Sequence, residues 1–311
     1  MFVVWLNITT LSLSSEFLDR LMWRQVDSPR SHYGIEFALR TVERECMAEA
    51  SRDGVSSLFD IQDRVFLVSG GTGRLGTAMC RGLAQLGARV HVGARNMSKA
   101  EDLSSELRGE SLVAHAAHLD LSNDDSIDSA VGGVVERDGR IDCLVNAAVS
   151  HIPGDVLGYA TADWEASMRV DATGFFRLTQ QCLNAMLQQQ SGSIVTISSI
   201  LGSVGPDPRL YPNGIDGMRP HYFFAKAGVI GFTKFLAAAY ARAGIRVNCV
   251  SPGGFAPAAV HSPNAAFADR VPMGRLATPE EFLGAVVFLA SSAGSYVTGH
   301  DLVVDGGYTA W

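Results

Sequence analysis

The sequence predicts an α/β protein with a doubly wound parallel sheet of about seven strands. Short apolar runs, typical of strands buried on both faces, alternate with longer segments of helical period. The first run, Val65–Val68, leads into a glycine-rich turn and then into a helical pattern. Because the chain has 311 residues, of which 47% are hydrophobic, it is large enough to bury one sizeable core. We therefore expect a single domain.

The apolar pattern places seven strands and two long helices. The strands are expected near residues 64–69, 89–94, 112–118, 141–146, 193–198, 245–250 and 301–304. Helices lie between them, and the longest are expected near residues 161–189 and 221–243. Residues 205–220, which are rich in proline and glycine, are expected to form a loop.

The pattern covers residues 55–311, and residues 1–54 fall outside it. We expect the first segment to be an N-terminal extension, either disordered or the result of a misassigned start, because Met47 lies shortly before the first strand. The alternative is a segment that docks onto a partner or another copy. Its apolar start, residues 1–6, is too short to span a bilayer and lacks the positive region of a signal peptide. A cytoplasmic protein without a membrane partner is expected.

Charge and cysteine usage exclude several classes of function. The net charge is −7, the pI is about 5.6 and there is no basic stripe, which argues against nucleic-acid binding. The five cysteines are scattered and lack Cys-x-x-Cys spacing, so they are expected to be buried thiols in a reducing cytosol. Neither they nor the eight histidines have metal-ligand spacing, and no metal is expected.

The glycine turn, Ser69–Gly76, has the context of a dinucleotide-binding turn because it joins a strand to a helix. Gly70 and Gly73 would let the backbone approach a pyrophosphate, and Gly76 would let the helix pack close to the strand. The helix N-terminus would supply free N–H groups and a positive dipole end for the phosphates. A nucleotide cofactor is therefore expected here.

The end of the second strand favours NADP(H) as that cofactor. An NAD-preferring site usually has an acid at the tip of this strand, which holds the ribose 2′-hydroxyl. Ala94 stands at that place, Arg95 follows it, and Arg74 in the glycine turn adds a second cation. Two arginines without a carboxylate suit a 2′-phosphate. The alternative is that both arginines are solvated surface charges and that the cofactor is NAD(H).

Tyr222 and Lys226 lie four residues apart in a predicted helix and therefore share a face. An unperturbed tyrosine has a pKa near ~10, and a neighbouring cation favours the phenolate and lowers that pKa. The pair is therefore a candidate general acid/base near neutral pH. The alternative is an ordinary half-buried helix face, since the same spacing occurs on many helices.

Residues 57–311 resemble the single-domain short-chain dehydrogenases/reductases, whose motifs they match in order. The matches are the glycine turn, Asp120 for the adenine, Asn146-Ala-Ala148 at a strand end, Ser199 at another, the pair Tyr222 and Lys226, and the last two strands. The resemblance implies a Rossmann fold. It also implies a cofactor site that contains Gly70, Thr72, Gly73, Arg74, Leu75, Gly76, Arg95, Asp120, Leu121, Asn146, Ala147, Ala148, Tyr222, Lys226, Pro252 and Gly253.

A mechanism is also implied by the resemblance. Tyr222 would donate a proton to a carbonyl oxygen, or remove it from a hydroxyl in the reverse direction. Lys226 would lower the Tyr222 pKa and hold the nicotinamide ribose, and Ser199 would hydrogen-bond the substrate oxygen. Ser199 would otherwise be a strand-end hydroxyl that caps local backbone. Family members commonly form dimers and tetramers, so a homodimer or homotetramer with Trp311 near an interface is expected.

The chain departs from the family pattern at several positions. Asp171 stands in the place of the family's catalytic asparagine, and a carboxylate cannot donate an amide hydrogen bond. We hypothesise that Asp171 still orients a proton-relay water, with some loss of Tyr222 acidity because it offsets the neighbouring cation. Ala147 replaces a second asparagine, Val149 replaces a glycine, and Pro257 replaces a threonine near the nicotinamide.

The segment between Ser199 and Tyr222 is longer than is common in the family. Because it begins and ends beside the catalytic residues, it is expected to line the substrate entrance. Arg209, Tyr211 and Arg219 offer cations and a hydroxyl to a polar or acidic substrate. The alternative is a solvated insertion without substrate contact.

We therefore expect an oxidoreductase that transfers a hydride between NADP(H) and an alcohol/carbonyl pair on a small, polar, possibly sugar-like substrate. Its candidate substrate contacts are Ser199, His151, Arg209 and Tyr211. The long loop is similar to that of oxidoreductases in surface-sugar pathways. One alternative is a 3-oxoacyl reductase, against which the arginines of the loop weigh. The other is a cofactor-binding sensor or scaffold with weakened catalysis, which the departures from the family pattern suggest and the intact catalytic residues oppose.

Overall fold

The computed structural model describes residues 54–211, 218–256 and 265–311. Val55–Trp311 forms one compact unit. Apart from Gly54, the expected extension at residues 1–54 lies outside the described residues, and so does Pro257. The role of the extension therefore stays a prediction.

A seven-stranded parallel sheet forms the centre of this unit, and the predicted fold class is confirmed. The strands are β1 (Val65–Ser69), β2 (Arg89–Ala94), β3 (Ala114–His118), β4 (Cys143–Asn146), β5 (Gly192–Ile197), β6 (Ile245–Pro252) and β7 (Asp301–Val304). Their order across the sheet is β3-β2-β1-β4-β5-β6-β7. Each predicted strand is present, with ends that differ by at most two residues.

Helices cover both faces of the sheet. The α-helices are α1 (Arg74–Gln85), α2 (Met97–Gly109), α3 (Asp124–Asp138), α4 (Thr161–Met168), α5 (Phe175–Gln189), α6 (Pro220–Tyr240), α7 (Ala265–Arg270) and α8 (Leu283–Ala290). Short 3-10 turns lie at Ser57–Phe59, Ile200–Gly202, Pro208–Leu210, Ala241–Ala243, Pro279–Phe282, Ser292–Gly294 and Tyr308–Ala310. Phe66 and Val68 of β1 share a core with α1, α2 and α8, whereas Val65 and Leu67 share another with α3, α5 and α6.

The predicted helix at residues 161–189 is present but is not continuous. Between α4 and α5, Arg169–Gly174 forms a wider π-turn that carries Asp171. A Cβ at Gly174 would lie 1.9 Å from the Leu121 carbonyl oxygen, so only glycine lets the two backbones approach this closely. Such turns are frequent at functional sites. Apolar periodicity does not reveal one extra residue in a single turn, which is why the sequence predicted one helix.

The second predicted long helix, at residues 221–243, comprises α6 and the 3-10 turn that follows it. By length and composition alone, the span Pro220–Ala243 is long and apolar enough to cross a membrane, and it is the one such span among the described residues. It packs against β6 and against the turn Ile200–Gly202, as helices that cover a sheet do. A third of its apolar window is buried by these contacts. Four cysteines (80, 143, 182 and 249) are buried and free, as predicted.

The carboxyl ends of β1 and β4 lie side by side in the sheet. From β1 the chain continues to β2 on one side, and from β4 it continues to β5 on the other. Loops that diverge in this way open a crevice above the strand ends, where ligands bind in such sheets. Ser69 at the end of β1 donates a hydrogen bond to Asn146 at the end of β4 (Oγ–Oδ1 2.7 Å) and joins the two ends.

Candidate active site

The glycine turn lies at this crevice, between β1 and the N-terminus of α1. Gly70 has φ of 67°, and a Cβ there would lie 2.8 Å from the Cα of Ala148. A Cβ at Gly76 would lie 2.0 Å from the Gly70 carbonyl oxygen. The first turn of α1 has neither a side-chain cap nor an acidic residue, so its N–H groups are free to bind an external anion. This backbone fits the pyrophosphate of a dinucleotide.

Two further predicted cofactor contacts follow β3. Although partial burial opposes it, hydrogen bonds from Ser122 and the charge of Arg95 lower the pKa of Asp120, whose carboxylate is therefore an acceptor at neutral pH. Leu121 is buried beside it. At the end of β4, Asn146 is buried, and its side-chain nitrogen has no hydrogen-bond partner among the described residues.

The tip of β2 presents a cation and no acid. Ala94 is buried there, and Arg95, which follows it, is exposed. Arg74 at the start of α1 is exposed as well. Within the described residues, neither guanidinium forms an ion pair. Both cations are therefore available to a phosphate group.

Ser199, Tyr222 and Lys226 come together in one cavity of about 440 Å³. The Ser199 hydroxyl is close enough to Tyr222 to lower the pKa of its phenol. Ser199 Oγ also accepts a hydrogen bond from the backbone N–H of Leu201 (3.1 Å), so it caps local backbone as well. The Ser198 hydroxyl donates to the carbonyl oxygen of Lys226 (2.9 Å) and holds α6 against the end of β5. The structure thus places the three predicted catalytic residues in one site.

Burial raises the pKa of Tyr222 above its ordinary value. The neighbouring Ser199 hydroxyl and the charge of Arg219 lower this pKa, and the Asp171 carboxylate raises it. The guanidinium carbon of Arg219 lies 5.0 Å from the Tyr222 ring centre, and the Lys226 ammonium lies 5.6 Å from it. The expectation that Lys226 gives Tyr222 a lowered pKa is therefore wrong for this arrangement. Burial of the phenol raises the Tyr222 pKa by more than the nearby cations lower it. Arg219 is the cation that lowers this pKa.

Lys226 and Asp171 both line a small cavity, and each influences the pKa of the other. Burial lowers the pKa of Lys226 to about 8, and the Asp171 carboxylate opposes this fall. Burial raises the pKa of Asp171, whose Oδ1 accepts a hydrogen bond from the backbone N–H of Ser150 (2.6 Å). The small cavity, about 10 Å³, has Asn146, Asp171 and Lys226 in its lining and is about as large as one water. The relay-water hypothesis stays a prediction with a suitable location.

Most of the predicted site residues line one of these two cavities. In the larger one are Gly70, Gly73, Arg74, Leu75, Gly76, Ala147, His151, Ser199, Tyr211, Tyr222, Lys226, Pro252 and Gly253. In the smaller one are Asn146, Ala148, Asp171 and again Lys226. Neither cavity is lined by Thr72, Arg95, Asp120, Leu121 or Arg209.

The structure does not bring Arg209 to the substrate cavity. Its guanidinium forms an ion pair with Asp207 (2.6 Å), and its side chain is 84% exposed. Arg219 lines the cavity instead, donates to the Ser150 carbonyl oxygen (3.0 Å) and lies 2.7 Å from Nδ1 of His151. No described carboxylate forms an ion pair with Arg219. The long loop therefore presents one cation to the cavity, at its end.

An aromatic wall completes the cavity, and sequence reasoning missed most of it. Phe267 of α7 stacks on Tyr308 (ring centres 5.3 Å apart) and meets the edge of Tyr211 (6.5 Å). Phe255 after β6 also lines the cavity. Of these, only Tyr211 was predicted, because it belongs to the long loop. The sole signal for Tyr308 was its position in the aromatic C-terminus, and Phe267 had no motif around it.

A protein-family model described as enoyl-(acyl carrier protein) reductase matches residues 73–309. The match extends from the end of the glycine turn through the catalytic residues to the last strand, and it covers well over half of the chain. The chain is a short-chain dehydrogenase/reductase.

Individual relatives of this short-chain dehydrogenase/reductase cover the same part of the chain. It is 37% identical over 253 residues to the cis-4-hydroxycyclohexanecarboxylate dehydrogenase of Sinomonas cyclohexanicum, which covers 80% of this chain and 97% of the relative. It is 34% identical over 251 residues to the 3-oxoacyl-acyl-carrier-protein reductase of Thermotoga maritima, with 79% and 98% covered. Among solved structures, a gluconate 5-dehydrogenase from Burkholderia cenocepacia in complex with NADP and tartrate is similar, with a TM-score of 0.73, 31% identity, and 82% and 98% covered.

Membership of the family confirms the expected activity class. The protein is an NAD(P)-dependent oxidoreductase that acts on alcohol/carbonyl pairs. The resemblance to surface-sugar oxidoreductases through the long loop stays a prediction. So do the preferred cofactor, the substrate and the individual roles of the site residues.

Proposed function

We propose that this short-chain dehydrogenase/reductase uses NADP(H) to oxidise the hydroxyl group, or reduce the corresponding carbonyl group, of a compact polar substrate that carries a carboxylate. The observation that carries the proposal is Arg219, which lines the cavity beside Tyr222 without a carboxylate partner among the described residues. A buried or half-buried guanidinium of this kind suits the two oxygens of a carboxylate.

The catalytic side chains divide the work in this proposal. A bound nicotinamide would supply or accept the hydride. Tyr222 gives a proton to the substrate oxygen during reduction and removes it during oxidation. The Ser199 hydroxyl, which lines the same cavity, donates to the same oxygen and stabilises its developing charge. The Lys226 ammonium, 5.6 Å from the Tyr222 ring centre, keeps its positive charge at pH values below about 8.

Arg219 has unused hydrogen-bonding capacity for a substrate. Its contacts with the Ser150 carbonyl oxygen and with His151 Nδ1 both involve the same nitrogen, NH1. The remaining donors of the guanidinium have no described partner and are free for a planar anion. The same cavity is also lined by the rings of Tyr211, Phe267 and Tyr308, which pack against one another. The cavity therefore suits a carbon skeleton with an acid at one end.

Two relatives support this choice of substrate. The Sinomonas relative is described as acting on a hydroxycyclohexanecarboxylate. The Burkholderia structure is that of a gluconate dehydrogenase with tartrate. Both compounds are hydroxy acids, and gluconate is also sugar-like. The two relatives are described with different compounds, but these compounds are all hydroxy acids. This favours a hydroxy acid as the substrate of the present enzyme.

The test compares each hydroxy acid with its neutral carboxamide. We expect wild-type enzyme to prefer cis-4-hydroxycyclohexanecarboxylate over the carboxamide by about 10- to 100-fold in kcat/KM, the usual value of a charged hydrogen bond. Arg219→Gln should abolish this preference, and Arg209→Gln should preserve it. Because Arg219 also acts on Tyr222, the ratio of the two substrates is measured within each variant. If Arg219→Gln lowers both activities by the same factor, the carboxylate role is wrong.

The cofactor preference rests on Arg74 and Arg95, with Ala94 in the acid's place. A 2′-phosphate would be stabilised by exposed guanidiniums near the tip of β2, whereas a ribose 2′-hydroxyl would find no carboxylate there. We expect nicotinamide fluorescence to report tighter binding of NADPH than of NADH. The double variant Arg74→Gln/Arg95→Gln should weaken NADPH binding and leave NADH binding nearly unchanged, so NADH serves as the internal control. Tighter NADH binding by the wild type would contradict the proposal.

A second candidate substrate is a 3-oxoacyl group on a phosphopantetheine carrier. The description of the matching family model and the Thermotoga relative favour it. Acetoacetyl-pantetheine and a hydroxy acid assayed side by side would decide between them. A 3-oxoacyl reductase should retain its activity in Arg219→Gln at the pH optimum of that variant, because its substrate brings no carboxylate to the site.

We also propose that the enzyme is a cytoplasmic homodimer or homotetramer. The long helices expose aromatic side chains, among them Phe176, Phe224 and Phe235, and Trp311 at the C-terminus is 70% exposed. Exposed apolar groups of this number are typical of protein interfaces. Light scattering at micromolar concentration should give an oligomer, and a monomer there would contradict the proposal.

A further inference from the structure

The aromatic wall of the cavity, formed by Tyr211, Phe267 and Tyr308, is in contact with two residues outside the cavity. The guanidinium carbon of Arg270 lies 5.0 Å from the Tyr308 ring centre and 5.2 Å from the Trp311 ring centre. Neither Arg270 nor Trp311 belongs to the cavity lining. Contacts therefore run in series from the cavity through Tyr308 to Arg270 and then to Trp311.

Arg270 is the last residue of α7, Ala265–Arg270, which has only six residues. A helix this short is not stable by itself, so its position depends on packing. Phe267 lies three residues before Arg270 and therefore shares its face of the helix. Phe267 stacks on Tyr308 with ring centres 5.3 Å apart, and the Arg270 guanidinium lies near the same ring. The Tyr308 ring thus contacts α7 at two positions of one face.

Trp311 contacts Arg270 through hydrogen bonds as well as through its ring. The guanidinium donates to the Trp311 carbonyl oxygen, and the indole N–H donates to the Arg270 carbonyl oxygen, both at 3.2 Å. The last carbonyl groups of a helix have no partner within the helix, so the indole satisfies one of them at the end of α7. Because Trp311 is 70% exposed, it adds little to the core, and replacing it should not prevent folding.

The charge of Arg270 is not engaged by a carboxylate. Within the described part of the chain, its guanidinium forms no ion pair. Asp207 is close enough to be affected: its pKa is lowered to about 2, mainly by hydrogen bonds from Arg209 and to a small extent by the charge of Arg270. The ion pair of Asp207 is with Arg209. The Arg270 cation is therefore available to the faces of the two aromatic rings.

The long loop packs on the same group of side chains. Its turn at Pro208–Leu210 contacts α7, and Leu210 is buried in a small apolar cluster with Tyr308. Tyr211 and Phe267 pack against this cluster, which is separate from the two cores of the sheet. The loop, α7 and the segment after β7 therefore share one small cluster at the cavity. Its local order depends on few apolar contacts, so each contact carries weight.

We propose that Arg270 is a positioning residue for the substrate wall and that Trp311 acts through it. Together they hold α7 in place, so that Phe267 and Tyr308 present a fixed apolar surface to the carbon skeleton of the substrate. Preference for an apolar skeleton thus depends on two residues that do not touch the substrate. The inference concerns the apolar part of the substrate, and it rests neither on the carboxylate contact of Arg219 nor on the preferred cofactor.

The first test measures KM and kcat with cis-4-hydroxycyclohexanecarboxylate and with gluconate. Arg270→Met removes the charge and the hydrogen bonds but keeps an unbranched side chain. We expect it to raise KM for the cyclohexane acid about fivefold, the usual weight of a partly exposed cation–π contact. KM for gluconate, whose carbons carry hydroxyl groups, should rise less. The change in kcat should be smaller than the change in KM, because the acid/base residues are untouched.

A double-mutant cycle shows whether Trp311 acts through Arg270. Trp311→Ala should raise KM, and Trp311→Phe, which keeps a ring for the cation, should recover most of that loss. Arg270→Met/Trp311→Ala should be no worse than Arg270→Met alone. Arg242→Met, at an exposed arginine after α6, is the matched control and should retain the wild-type KM. Additive losses, or equal losses for the two acids, would overturn the proposal.

Hydrogen exchange tests the same proposal without a substrate. The backbone amides of the α7 peptide should exchange about fivefold faster in Trp311→Ala than in wild type, since the contacts that order this helix are lost. Those of α8, Leu283–Ala290, should exchange at the wild-type rate. This result is independent of the hydroxy-acid proposal, and Trp311→Ala provides it even if Arg270→Met does not fold. Unchanged exchange in α7 would overturn the positioning role.

Discussion

The cofactor side of the site consists mainly of backbone groups, whereas the substrate side consists mainly of side chains. At the glycine turn, the structure offers backbone: Gly70 adopts a positive φ, and α1 presents uncapped N–H groups. On the substrate side, it offers side chains from separate segments, among them His151, Arg219 and Phe267. Backbone sites depend on glycine spacing, which a sequence displays. Side-chain sites depend on the partners that each residue finds, and these become visible only in the fold.

The largest effect should come from removing the phenol on the substrate side. Tyr222→Phe deletes the proton that the reaction needs, so we expect kcat to fall by about 10²- to 10⁴-fold, the usual contribution of general acid–base catalysis. NADPH binding should change little, because the glycine turn is untouched. Tyr240→Phe, at the other end of α6, is the control and should leave turnover intact. If Tyr222→Phe left turnover unchanged, the assignment of Tyr222 as the general acid/base would be wrong.

A second prediction concerns the buried ammonium of Lys226, which lines both cavities. Burial lowers the pKa of Lys226 from 10.5 to about 8. Between these pH values, the unfolded chain holds a proton that the folded protein does not. The free energy of unfolding should therefore rise with pH from about 8 to about 10.5, by about 3 kcal/mol at most.

Chemical denaturation of wild type and Lys226→Met across this pH range isolates the effect. The difference between their unfolding free energies should depend on pH, and it should flatten above about pH 11, where the lysine is also deprotonated in the unfolded chain. Lys234→Met, an exposed position on the same helix, should give a difference that does not change with pH. A flat difference for Lys226→Met would show that the ammonium is not desolvated in the folded protein.

A substitution that displaces the backbone of the glycine turn should disrupt the cofactor side. Gly76→Ala would place a Cβ 2.0 Å from the Gly70 carbonyl oxygen, which is backbone and cannot move aside freely. We expect a loss of about 1–3 kcal/mol in stability from overpacking, together with weaker binding of both NADPH and NADH. Gly132→Ala lies in α3, where the new methyl meets nothing within 4 Å, and should stabilise the protein by about 0.5–1 kcal/mol. Unaltered cofactor binding in Gly76→Ala would exclude the glycine turn as the phosphate site.

Sequence reasoning succeeded where local pattern determines structure. All seven strands were predicted. The five inner strands have parallel neighbours on both sides and are largely buried, whereas β3 and β7 at the edges are only partly buried. It failed at Arg169–Gly174, because a π-turn preserves the apolar pattern of the helix while it changes which backbone groups are paired. It also failed for the Tyr222 pKa, since the spacing to Lys226 shows a nearby cation but not the burial that outweighs it.

The smallest expected effect separates the two arginines of the long loop. Arg209→Gln should change kcat/KM for a hydroxy acid by less than twofold, since its guanidinium is engaged with Asp207 and exposed to solvent. Asp207 stands only two residues before Arg209 in the sequence, which is the signal that a local ion pair would use that cation. Arg219 has no ion-pair partner among the described residues, and its side chain lines the cavity. Steady-state kinetics of both variants on the acid and its carboxamide would measure the difference. A larger loss in Arg209→Gln than in Arg219→Gln would mean that the loop rearranges when substrate binds and that the cation of the cavity is exchanged.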